Sequence, residues 1–513
     1  MTQGSSINTN LPPQVITKAG VKLPVGSSEH GSTNITPTAP DVKKIGLMGL
    51  IAMVLGSMIG GGIFNIPQNT AASSAIGPVT IAWIITGIGM LMLAYVFKIL
   101  SAQRPDLHIG IYSYAKAGFG KYVGFNSAWG YWIAAATGNV AFAVMLNDAV
   151  GYYYPVLLNH GWPTVIFGAV LIWIYNFVVL RGVQQASKLN TITVVVKFIS
   201  LAIILIAMIG FFKLDLAMYD IWGTKENLGS LWSQIKAPML VTLWCFIGIE
   251  GAVVVSNHAK NSSDVGKATV IGFLLALSAY ILLSLLAYGI YHQPELAKLT
   301  DPSAGYILQK HMGAWFVDFV NISVIISVGG SWVAWTVLVA QLPFAAASDG
   351  VMPRLFSREN RFTVPSTALY ISSVVMTIFM VLVATAHNVY LAAIDITGVV
   401  ILPCYLLSSL FLCKVCLNST ILSHDPGRRR KALLIGILST IYCLWLLYAA
   451  GMDYLLISSI IYCIGTVFFV IARKEQGASM KSLFTPAEAA LAIFFVICSI
   501  YSIYMICEGK VQF

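Results

Sequence analysis

The sequence predicts an all-α polytopic membrane protein of about thirteen transmembrane helices, built as two inverted five-helix repeats whose first and sixth helices are broken. Three observations carry that expectation. Of the 513 residues 58% are hydrophobic and only 10% charged, and the mean hydropathy is +0.81, where soluble domains carry about 25% charge. Apolar runs of membrane-crossing length recur along the chain. Glycine-rich interruptions fall in the first and the sixth of them.

The elements follow in chain order. Met1 to Pro40 is polar, rich in Ser, Thr, Pro and Gly, and lacks the apolar stretch of a signal peptide; residues 1–42 are expected to form a disordered cytoplasmic tail. Runs near the 20 or so residues that span hydrocarbon lie at 46–67, 79–98, 124–152, 163–180, 190–212, 237–257, 268–290, 315–342, 367–385, 391–413, 432–450, 454–472 and 488–507. Residues 43–415 would then hold a ten-helix core and 416–513 additional C-terminal helices. Of the 30 lysines and arginines, all but Lys197, Lys213, Lys225, Lys236, Lys298, Lys310 and Lys510 fall in the tail or in the connections on its side. Such a bias puts the tail in the cytoplasm, in an inner (plasma) membrane, and the C-terminus outside. It also accounts for the net charge of +10 without nucleic acid. The eight cysteines sit mostly in apolar runs, where a thiol behaves as a small hydrophobe. Cys413 and Cys416 have half a zinc spacing and no second pair, so no metal or other cofactor is expected.

Broken helices survive in hydrocarbon only where they line a cavity, because each unpaired backbone group there costs several kcal/mol. The first span reads Gly56-Ser57-Met58-Ile59-Gly60-Gly61-Gly62 and the sixth Gly248-Ile249-Glu250-Gly251. Small residues in the first span also suit close helix packing, but interruptions at matching places in two halves point to a transporter's binding site. Half-helix ends present amides to a carboxylate and carbonyls to an ammonium, so backbone alone can hold a zwitterion. Trp244 and Trp335 could hold a cation or alkyl chain, or belong to interfacial belts. Asn139 needs a helix or a ligand as partner, and Glu250 is an intramembrane carboxylate, a functional candidate by default. Asp148 and Asp395 fall near outer helix ends, where solvated or entrance roles suit them better than central binding. Lys197 lies roughly 13 Å into the fifth span at 1.5 Å per residue. It is either a fixed cation supporting the broken first helix or a titrating proton carrier.

These residues resemble the basic amino acid/polyamine antiporter family of the amino acid–polyamine–organocation superfamily, most of all its arginine/ornithine branch. The resemblance runs from about Lys43 to the C-terminus and implies the LeuT-like plan of inverted repeats. Gly60-Gly61-Gly62 before Ile63-Phe64 looks like the family's unwound segment that takes the substrate carboxylate, with Gly61 where serine is frequent. Trp244 to Glu250 resembles the sixth-helix motif with a gating tryptophan and a proton-sensing or substrate-linked glutamate. Asn139 and Trp335 match substrate contacts, and Tyr131 matches a gate tyrosine. Two departures stand out. Cys404 follows Pro403 where the family has a gate tyrosine, with Tyr405 one place on, about 100° around the helix. Lys197 looks like the lysine that replaces a sodium ion in sodium-independent relatives.

The resemblance thus implies exchange of a basic amino acid for a related amino acid or amine, arginine/ornithine favoured. Substrate would meet Ser57, Gly60 to Gly62, Asn139, Trp244, Ile247, Glu250 and Trp335; Tyr131, Trp244 and Tyr405 would gate. Histidine/histamine exchange and proton symport through Lys197 are the alternatives. No nucleophile motif, metal cluster or phosphate-cradling loop suggests an enzyme. The expected partners are a small-molecule substrate and membrane lipid, with a homodimer allowed and nucleic acid excluded.

Overall fold

The computed structural model describes residues 46–107, 111–159, 161–250, 260, 262–383 and 388–510, with the backbone alone at 183–192, 262–263, 265 and 480. The expected tail, 1–42, and the second half of the sixth span lie outside these residues. The described helices are α1 (Leu47–Met58), α2 (Ile66–Ala71), α3 (Ile76–Gln103), α4 (Tyr112–Phe119), α5 (Lys121–Gly151), α6 (Trp162–Leu180), α7 (Val183–Phe211) and α8 (Met239–Trp244). They continue with α9 (Ser262–Ala287), α10 (Ala314–Ser348), α11 (Ser366–Val383), α12 (Val389–Leu417), α13 (Pro426–Glu475) and α14 (Pro486–Cys507). Short helical turns connect some of them.

Ten of these helices are long and apolar enough to cross a membrane, and the bent pair Leu47–Met58 and Gly61–Ala71 makes an eleventh. α13 has 50 residues, about 75 Å at 1.5 Å per residue and far beyond a hydrocarbon core of about 30 Å. Gly451 breaks it, with a φ of 83°, between the eleventh and twelfth expected spans. The sixth span is represented only by α8 and the turn after it.

Polarity sorts the helices between core and lipid. α5 is among the least apolar spans, with a mean hydropathy of 1.4 in its best window, yet 94% of that window is buried; α14 reaches 2.4 with 17% buried. The reason is composition. Ser127, Ala128, Gly130, Ala134, Gly138 and Ala141 on α5 let α10, α11 and α12 approach closely. On α14, Ile493, Phe494, Ile497, Ile500 and Tyr501 stand exposed, an apolar surface suited to lipid.

Hydroxyls and amides cross-link the buried faces. Thr86 meets Thr242 at 2.7 Å, Asn176 donates to Ser373 at 2.6 Å, and Thr397 donates to Thr137 at 2.7 Å. Each such bond is worth about 0.6 kcal/mol on average inside a membrane protein. Glu488 serves two helix ends at once. It closes a capping box with Thr485 on α14 and accepts from the Tyr122 amide of α5 at 2.8 Å, satisfying amides that a helix start leaves unpaired.

Candidate functional site

The first expected break is present, and it abuts the point where the described part of the sixth span leaves its helix. α1 stops at Met58, Ile59 and Gly60 take extended or irregular conformations, and a 3-10 turn at Gly61–Asn65 leads into α2 after a bend of 53°. α8 stops at Trp244; the chain continues as single turns, Phe246 N–H to the Leu243 carbonyl at 2.9 Å and Ile249 N–H to the Phe246 carbonyl at 3.1 Å. Gly248 reverses the chain with a φ of +104°, which L side chains rarely adopt. A Cβ there would also come within 2.9 Å of the Ser57 carbonyl. The Ser57 hydroxyl bonds the Gly248 carbonyl at 3.1 Å, tying one broken helix to the other.

Carbonyls released by the breaks are taken up by side chains from neighbouring spans. Lys197 Nζ on α7 donates to the Ile59 carbonyl and to Ser331 Oγ on α10 at 2.9 Å, and the residue is wholly buried. Tyr280 on α9 reaches both breaks, its hydroxyl 3.0 Å from the Met58 carbonyl and 2.9 Å from the Cys245 carbonyl. A phenol carries one proton, so Tyr280 serves those two carbonyls with a single donor.

Where the breaks meet there is a narrow cavity of about 30 Å³, room for a water or two in this conformation. Of the residues expected from sequence, Ser57, Gly60, Gly62, Trp244, Ile247 and Trp335 line it. Gly62 is needed for space: a Cβ would stand 2.7 Å from Trp244 Nε1. Sequence reasoning missed Tyr280, Phe142 and Thr397 on the same wall. A polar aromatic inside the long apolar run of α9 was the available signal for Tyr280.

A larger space of about 490 Å³ lies on the side of the N-terminal half of α1, lined by Gly49, Ala52, Gly56, Tyr131, Gly248, Glu250, Ser331 and Leu338. Ser57 and Trp335 line both spaces and so form the partition between them. Glu250 belongs to the second. Its carboxylate, 1% exposed, accepts from Tyr131 at 2.5 Å and from Tyr405 at 3.2 Å. The change around Pro403 now has a geometry. Cys404 faces α5 and accepts from Ser127 at 2.9 Å, while the turn of about 100° brings Tyr405 onto Glu250.

Two expected contacts point elsewhere. Asn139 Nδ2 donates to the Ala135 carbonyl at 2.6 Å and approaches the Trp335 carbonyl at 3.5 Å; its neighbour Gly138, not Asn139, lines the cavity. Gly61 faces Val328 and Met145, against the scaffold. Among the described residues no group of three or more His, Cys, Asp or Glu could hold a metal.

A family model described as amino acid permease matches residues 45–511. The arginine/agmatine antiporter of Chlamydia pneumoniae is 42% identical over 485 residues, covering 93% of this chain and 100% of its own length. That of Chlamydia felis is 43% identical over 477 residues, with 92% and 98% covered. A Clostridium perfringens protein named for amino-acid transport is 43% identical over 470 residues, 90% of this chain and 98% of its own.

Proposed function

The chain belongs to the amino acid permease family, and from that premise we propose that it exchanges basic amino acids across the membrane by alternating access. It is a multi-pass transporter and not an enzyme. The observation that carries the reading is the cavity at the meeting of the two breaks, walled by backbone and by Trp244 and Trp335. In this reading the substrate carboxylate sits on amides around Gly60 to Gly62 and its ammonium on carbonyls around Trp244 to Ile247. The alkyl chain lies against the indoles. Glu250 supplies negative charge for the cationic end or couples transport to pH, and Tyr131 and Tyr405 gate its side of the partition. Asn139 acts through the backbone of Trp335. Lys197 acts as a fixed cation, its ammonium held by the Ile59 carbonyl and Ser331.

The positive-inside bias supports a cytoplasmic tail in a plasma membrane. Every residue lining the cavity lies between Ser57 and Thr397, which supports residues 43–415 as the transport core, with 416–513 accessory. Arginine is the favoured substrate. The counter-substrate is ornithine on the sequence resemblance or agmatine on the names of the chlamydial relatives, and charge separates them. Arginine and ornithine are both monocations near neutral pH, so their exchange moves no net charge; agmatine lacks the carboxylate and is a dication.

Radiolabelled arginine uptake into proteoliposomes tests this. Uptake into vesicles loaded with ornithine, agmatine, histidine or histamine, and not into empty ones, is the expected result, and the best internal partner identifies the pair. Ornithine exchange should ignore the membrane potential and agmatine exchange should follow it. Equal uptake into empty vesicles under a pH gradient would replace exchange with proton symport through Lys197.

A further inference from the structure

A third cavity, about 190 Å³, opens at the opposite end of the helix bundle from the N-terminus of α1. It is lined by Gln68, Asp148, Leu158, Leu299, Thr300, Asp301, Asn388, Val389 and Tyr390. Two of its polar groups are carboxylates. Asp148, 5% exposed, takes one bond, from Asn147 Nδ2 at 3.1 Å. Asp301 Oδ1 is buried with no hydrogen-bond donor, and so is Gln68 Oε1. The Gln68 amide is held from the other side, Nε2 donating to the Ala297 carbonyl at 3.2 Å, with the side chain 9% exposed. Among the described residues no lysine, arginine or histidine forms an ion pair with either aspartate.

Two carboxylates and an orphaned amide oxygen around one space are costly unless a cation is drawn in, since buried charge without a counter-charge is strongly penalised. Asp301, which lies in a connection outside the membrane-spanning helices, shows that cost. Burial and the Asp148 charge push its carboxyl well above the usual carboxylate range. The space also leads inward. Tyr390 lines it, and the Tyr390 hydroxyl stands 3.1 Å from where a Gly62 Cβ would be, beside Trp244.

We infer that this vestibule is a separate binding site for the guanidinium or primary ammonium of an arriving substrate, held by Asp148, Asp301 and Gln68 before it passes Trp244 and Tyr390. The site rests on the exchange reading for its ligand, and on its own geometry for its charge preference. A guanidinium presents five donors in a plane, which suits acceptors on three sides. An anion would be repelled by the two carboxylates.

Two measurements test it. Equilibrium dialysis of radiolabelled methylguanidinium against the purified full chain should show a saturable site that the double variant Asp148→Asn, Asp301→Asn removes and Trp335→Leu leaves. In right-side-out vesicles the double variant should raise the external half-saturation for arginine about tenfold and flatten its dependence on ionic strength. Half-saturation from the inner side should stay within twofold, which also shows that the variant is folded, and Asp301→Glu should restore most of the external value. Equal methylguanidinium binding by wild type and double variant, or an unchanged external half-saturation, overturns the vestibule and leaves exchange standing. Aspartate-dependent methylguanidinium binding in a protein that carries no arginine keeps the vestibule and overturns exchange instead.

Discussion

Tyr280→Phe removes one oxygen and keeps the ring that stacks on Trp83 at 6.1 Å. The lost hydroxyl stands between the Met58 and Cys245 carbonyls, one from each broken helix. Met58 keeps a second donor, the Gly60 amide at 2.9 Å. The Cys245 carbonyl has only the phenol among the described residues, so the substitution leaves one buried acceptor unpaired. Such a group costs about 1–3 kcal/mol, and hydrogen bonds in membrane proteins sit toward the lower part of that range. A loss of about 1–2 kcal/mol corresponds to roughly a 5- to 30-fold change in an equilibrium. Because both carbonyls border the cavity, the cost should fall on substrate affinity. Arginine binding by equilibrium dialysis should weaken by that factor, and exchange at low arginine should slow in proportion. An affinity within twofold of wild type, with the variant folded, would show that the phenol does not hold the two breaks together.

Gly248→Ala combines a left-handed backbone, about 1–2 kcal/mol for an L-residue, with a Cβ 2.9 Å from the Ser57 carbonyl; exchange should fall at least tenfold, and wild-type rates would remove the strain. Lys197→Met strands the Ile59 carbonyl and Ser331, so exchange should drop tenfold or more under every pH gradient; a loss confined to gradient-driven uptake into empty vesicles would mark Lys197 as a proton carrier. Tyr131→Phe should disturb exchange more than Tyr405→Phe, about tenfold against threefold, because shorter bonds to a carboxylate are stronger and the distances to Glu250 are 2.5 and 3.2 Å. The reverse order in initial rates would contradict this geometry.

Much of the site was legible along the chain because its signals are local. Three glycines in an apolar run, a carboxylate in another and a lysine deep in a third are each expensive in hydrocarbon, and each stands at a break or on a freed carbonyl. The same logic separated Asp148 from the central site. Asn139 shows the limit. A buried amide announces that it needs partners, yet its Nδ2 turns to backbone carbonyls of its own helix and of Trp335, while its Oδ1 has no donor among the described residues. Tyr280 is the converse, an aromatic hydroxyl that reads as one tyrosine among 23 until its two acceptors are seen.

Composition, apolar run length and the positions of costly residues determined that this protein spans a membrane and where its helices break, because the bilayer penalises each polar group at its own place in the sequence. Only the tertiary structure decided which groups compensate those penalties. Glu250 meets Tyr131 and Tyr405 across 119 and 155 positions of sequence, and Lys197 meets Ile59 across 138. It also decided that Asp148 and Asp301 line one cavity. Such pairings depend on the rotation and depth of packed helices, and a helix that turns by about 100° per residue can exchange Cys404 for Tyr405 without any change in composition.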